Sequence, residues 1–121
     1  MSLEESHYNF HDAIVVSCEM VQTNSLQLTL LLYEINHPNK EQVQLTFSGI
    51  FNLEKVTQFI TQLNAEALAP DWNGTRVDKF NSNHKQVSKT LNQHFILNLD
   101  GFKSLKIHCK ELQIEKVARH A

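Results

Sequence analysis

The chain of 121 residues carries 13 acidic and 11 basic side chains. That net charge of −2 argues against a nucleic-acid partner. No apolar run approaches the roughly 20 residues that a membrane span requires, and no basic and apolar leader is recognisable, so the expected setting is the cytoplasm. With 41% apolar and 20% charged residues the composition is that of a single folded domain over 1–121 with one real core.

Residues 1–9 are polar. Phe10-His11-Asp12 leads into an expected strand of about ten residues in which Ile14, Val16, Cys18 and Met20 alternate with Ala13, Val15, Ser17, Glu19 and Val21. Thr23-Asn24-Ser25 has turn chemistry. Leu26, Leu28, Leu30 and Leu32 then recur at a period of two, placing a row of leucines on one face of a second strand. A three-residue loop pairs Met20 with Leu28 and Cys18 with Leu30, which keeps the apolar faces together. On the opposite face this register gathers Ala13, Val15, Leu31, Tyr33 and Ile35 at one end, an apolar patch that needs a cover or a second molecule.

Asn36-His37-Pro38-Asn39 is a further turn. Val43, Leu45 and Phe47 alternate with Gln42, Gln44, Thr46 and Ser48, and Gly49 ends that strand. Asn52 suits a helix N-cap. Leu53, Val56, Phe59, Ile60 and Leu63 have the spacing of an amphipathic helix to about Glu66, which is expected to lie over the leucine row. Val77, Phe80, His84 and Val87 fall at helical intervals and suggest a second helix within 76–88, weakened by Asn81, Ser82 and Asn83. Leu91 to Leu99 and Leu105 to Cys109 alternate around Asp100-Gly101 as a hairpin. The apolar phase then slips by one residue to Leu112 and Ile114, the mark of a bulge near Lys110-Glu111. The expected fold is α+β: an antiparallel sheet of about five strands, ordered β-β-β-α-(α)-β-β, with an amphipathic helix on one face.

Charge is distributed unevenly along the chain. Residues 1–75 hold nine acids and two lysines, whereas 76–121 hold nine bases and four acids, a polarity that can steer a charged partner. His94 and His108 fall opposite each other if the last hairpin keeps its apolar faces together, beside Lys106 and Lys110. Two facing imidazoles suit a transition metal or a pH-dependent element, but a site needs three or four ligands and lysines repel a cation. His7, His11 and Asp12 read either as an acid/base cluster or as local caps of a strand entrance. Trp72, in a Pro-Asp-Trp-Asn-Gly turn with Arg76 close behind, is the best candidate contact surface, since both residue types anchor interfaces. Cys18 and Cys109 read as buried thiols rather than a disulfide framework. No phosphate loop, nucleophile elbow, CxxC or HExxH motif occurs, and nothing argues for an enzyme.

Phe10-His11-Asp12-Ala13 and Thr46-Phe47-Ser48-Gly49-Ile50 resemble segments of a loose set of small bacterial proteins, some of which look like immunity proteins of polymorphic toxin systems. The resemblance covers the first two-fifths of the chain, brings no catalytic residues, and implies a protein that binds a partner rather than one that turns over a substrate. The sequence therefore predicts a non-enzymatic protein-binding module without cofactor or metal. Its candidate binding residues are Trp72, Arg76, His94, Lys106 and His108. The alternatives are a small-ligand or metal-responsive domain around the histidine pair, or a homo-oligomer joined through the apolar end near Val15, Leu31 and Tyr33.

Overall fold

Seven strands and one helix form the described part of the chain in a computed structural model that describes residues 10–33, 41–69, 74–82 and 93–117. In chain order these are β1 (Ile14–Val21), β2 (Ser25–Leu31), β3 (Gln42–Ser48), α1 (Leu53–Ala67), β4 (Val77–Ser82), β5 (Gln93–Leu99), β6 (Leu105–Cys109) and β7 (Glu111–Val117). They make two antiparallel sheets, β1-β2-β3-β7 and β4-β5-β6, in place of the single sheet of about five strands expected.

The leucine row behaves as its periodicity demands. Leu26, Leu28 and Leu30 are buried and paired with Phe47, Leu45 and Val43 of β3, and Leu112 and Ile114 of β7 extend the first two rows. Each fully buried leucine contributes about 1.5–3 kcal/mol, so this sheet face holds much of the core. The turn before β2 differs from expectation. Gln22 takes the left-handed φ of 59°, the loop becomes Gln22-Thr23-Asn24, and the pairing tightens to Cys18–Leu28 and Met20–Leu26. Parity is unchanged, so the apolar faces still meet.

A bulge in β1 at Val16 corrects the reading of the opposite face. It turns Ala13 and Val15 inward, where Ala13 is buried and Val15 packs on the core, and leaves Val16 51% exposed. At the apolar end expected around Val15, Leu31 and Tyr33, Ile14 and exposed Val16 thereby take the place of Ala13 and Val15 beside half-buried Leu31 and Tyr33.

The expected second helix is a strand. Val77 and Phe80 are three apart, which imitates a helix, but a bulge at Asp78 lets both face inward in β4. His84 and Val87 lie outside the described residues. Phe80 stacks on Phe95 with ring centroids 5.6 Å apart, and both rings meet the edge of Phe47, at 6.0 and 5.5 Å. These rings join the inner faces of the two sheets. The second sheet thus takes part of the role assigned to the helix. In α1, Val56, Phe59, Ile60 and Leu63 are buried as their spacing requires, but the helix packs chiefly against β6 and β1, with Phe59 on Phe102 at 5.9 Å.

The sheets are stitched at both sides. Val15 N–H donates to the Thr75 carbonyl at 3.0 Å and Val77 N–H to the Ala13 carbonyl at 2.8 Å, tying β1 to the start of β4. On the other side β6 runs directly into β7. Lys110 forms the corner, its N–H bonded to the carbonyls of Ser48 and Gly49 at 3.0 and 3.2 Å. The phase slip expected to be a bulge is thus the point where one long strand leaves one sheet for the other. The order 7-3-2-1-4-5-6 consequently closes on itself, and the outer faces of the two sheets lie on opposite sides of the molecule.

Candidate functional site

The outer face of β4-β5-β6 is built by strict alternation. Phe95, Leu97 and Leu99 point into the core, which leaves His94, Ile96 and Asn98 outward. Opposite them β6 presents Lys106 and His108, and β4 presents Lys79 and Asn81. His94 faces His108 across the strands, as the hairpin parity predicts, with ring centroids 4.2 Å apart and planes tilted by 56°. Ile96 pairs with Lys106, and Asn98 accepts a hydrogen bond from the Ser104 hydroxyl. One acid shares this face: Asp78, the bulge residue of β4, turns outward beside Lys79 because Val77 and Phe80 both face inward.

The free edge of β6 is closed by the entry to α1. Asn52 Nδ2 donates to the Lys106 carbonyl at 2.6 Å, while Asn52 Oδ1 accepts from His108 N–H at 3.0 Å. Phe51 N–H adds a bond to the His108 carbonyl at 2.7 Å. Asn52 occupies the N-cap position but makes no capping bond with its side chain. The amide instead imitates a strand residue and satisfies the backbone of an edge. This fixes His108 beneath the first turn of the helix. Its imidazole is held below the ordinary value by burial, then by His94, Lys106 and Lys55 of α1.

The four-stranded sheet has the opposite character. Its outer face carries Glu19, Glu111 and Glu115 among Gln27, Gln44, Thr46 and Gln113, with no base in these rows. Charge is therefore segregated by face, but not by halves of the chain. Glu111 and Glu115 come from the basic C-terminal third and join Glu19 through the β3–β7 pairing.

The other predicted residues serve the seam. Arg76 Nη1 donates to the Asp12 carbonyl at 2.9 Å, and its guanidinium carbon lies 5.9 Å from the Tyr33 ring centroid. A shallow cleft of about 180 Å³ beside it is lined by Ile14, Gly74, Thr75, Arg76 and Asp100. Trp72 and His7 lie outside the described residues. His11 Nδ1–H donates to the Asp78 carbonyl at 2.9 Å, and its other nitrogen is 3.6 Å from the Asp12 carboxylate. That carbonyl first, and then the carboxylate, raises the His11 imidazole above its usual value. Cys18 and Cys109 are both free and buried, and burial pushes their thiols up to about 12 and about 11. Neither supplies a thiolate near neutral pH.

Among the described residues no three His, Cys, Asp or Glu side chains converge as metal ligands. No described helix is long and apolar enough to cross a membrane. Sequence reasoning missed Lys79 and Asn81 as neighbours of the histidine pair, because the 77–80 interval imitates a helix. The Lys79/Phe80/Asn81 alternation was the signal that could have found them. No family model, curated protein or solved structure matches the chain.

Proposed function

We propose that the chain is a protein-binding module without chemistry of its own, guided to its partner by charge. The observation that carries this reading is the segregation of charge onto opposite outer faces. Two lysines and two histidines against the single acid Asp78 lie on the β4-β5-β6 face, and glutamates without a base lie on the β1-β2-β3-β7 face. Fields of this kind steer encounter and fix orientation more than they add raw affinity. The groups best suited to catalysis are otherwise engaged: His11 bonds a backbone carbonyl, and both thiols are buried.

The test is capture of a partner by the tagged chain from host lysate, followed by reconstitution with the purified partner at low and moderate salt. The expected result is one stoichiometric complex whose affinity falls as salt rises. A chain that stays monomeric and captures nothing at either salt concentration overturns the reading.

A further inference from the structure

We infer that the outer face of β4-β5-β6 is the docking surface, and that its occupant is an acidic, extended segment of a partner protein lying across the His94–His108 pair. This inference rests on the partner-binding reading and names the surface and the partner's chemistry.

The face has three cross-strand rows. Lys79 and Asn98 form the first, with the Asp78 carboxylate at the bulge beside Lys79; Asn81, Ile96 and Lys106 form the second, and His94 and His108, farthest from Asp78, the third. From Asn98 to His94 the surface spans about 13 Å at the rise of a β-strand, matching about four residues of an extended peptide. Lysines and histidines meet carboxylates in the outer rows, while the Asn81 and Asn98 amides can bond carboxylate or backbone. Half-buried Ile96 lies at the centre, and Phe51, 53% exposed, stands at the rim beside His108. Both supply apolar contact. The β6 edge is already occupied by Asn52 and Phe51, so the segment crosses the face through side chains rather than adding as a strand.

A nucleic acid fits less well. The permanent positive charges among these rows are only Lys79 and Lys106, with the Asp78 carboxylate beside the first, and phosphate polymers draw their affinity from many such contacts. Carboxylates gain something further from the histidines. His108 is faced by His94 from β5, Lys106 from its own strand and Lys55 from α1, and burial first, then this positive charge, holds its imidazole below the ordinary value. A carboxylate laid over the pair offsets that charge. Docking then takes up a proton, and affinity rises as pH falls.

The probe is a fluorescent oligoglutamate peptide titrated with the full chain at pH 6 and pH 8, with backbone amide shifts mapping the contact. The expected result is binding that maps to β4-β5-β6 and is about threefold tighter at pH 6, since one proton whose affinity rises about tenfold on docking gives the full tenfold only well below the free value. Lys79→Glu with Lys106→Glu, both exposed and expected to fold, abolishes it. His94→Gln with His108→Gln keeps the pH 8 affinity and loses the gain at pH 6. Absence of binding overturns the inference, as do shifts on the β1-β2-β3-β7 face or an unchanged pH gain in the histidine variant. Tighter binding of oligothymidylate than of oligoglutamate reassigns the face to nucleic acid and also overturns it. Should the purified partner bind the double glutamate variant with full affinity, this surface falls while the partner-binding reading stands. Loss of both complexes in the wild-type chain removes the two together.

Discussion

Asn52 offers a sharp discrimination between two roles that a sequence cannot separate. Asparagine is a favoured helix N-cap, and serine is about as good in that position. In the structure, however, the Asn52 amide reaches away from the helix and holds the Lys106 carbonyl and His108 N–H of β6 at 2.6 and 3.0 Å. Serine is too short to span both groups. Asn52→Ser therefore keeps the capping option and removes two hydrogen bonds from an edge strand. Each such bond contributes about 0.5–1.5 kcal/mol net, and the Lys106 carbonyl is exposed enough to recover water, so the expected loss is about 1–2 kcal/mol. Urea unfolding read by circular dichroism should show a lower midpoint with an unchanged slope. Amide exchange at His108 should accelerate along with it. A variant with the wild-type midpoint, alongside a destabilised Asn52→Ala, would show that capping is the residue's role and refute the edge-closing argument.

Phe47→Ala removes the ring that meets both Phe80 and Phe95, and is expected to cost about 3–5 kcal/mol in chemical denaturation; a loss under 1 kcal/mol would mean the sheets are held together elsewhere. With thiols raised from 9.0 to about 12 and about 11, native Cys18 and Cys109 should alkylate on the order of a hundred to a thousand times more slowly than a free thiol, as followed by intact mass. His108 lies below its ordinary 6.5 in the folded state, so its contribution to stability is present above pH 6.5 and is lost as pH falls through the folded value. His108→Gln should flatten the acid side of the stability curve, and an unchanged curve would locate the acid sensitivity in other groups. Gly49→Ala places a Cβ 2.9 Å from Lys110 Cγ and Cδ at a φ of +66°, and should destabilise by about 1–2 kcal/mol in the same urea assay.

Much of the strand pattern was legible because the core is regular. The alternation of Val43, Leu45 and Phe47, the 3-1-3 spacing of Val56, Phe59, Ile60 and Leu63, and the parity that sets His94 against His108 all survive in the structure. The misreadings share one physical cause, which is that a bulge changes period. At Val16 it moved Val15 from the outer face to the core, and at Asp78 it made a strand imitate a helix. Periodicity reports which residues share a face within one unbroken element, and it misassigns both sides of an extra residue. Asn52 was legible as a position but not as a partner, since β6 lies 54 residues away in the chain.

The corner at Lys110 shows how one residue of phase can organise both the core and the charge of this molecule. Had the alternation of β6 continued unbroken, Glu111, Gln113 and Glu115 would take the core parity of Leu105, Ile107 and Cys109, and Leu112 and Ile114 would face water. With Lys110 spent on the turn, its N–H bonded to the end of β3, Leu112 and Ile114 fall in the rows of Phe47 and Leu45. The same slip sends Glu111 and Glu115 to the outer face of the four-stranded sheet, away from Lys106 and His108 on the strand they continue. Burying two apolar residues and separating acid from base therefore have a single geometric origin. A chain that switches sheets without changing phase could achieve neither. On this argument the polarity of the two faces follows from packing, and the face proposed for docking owes its charge to the requirement that closes the core.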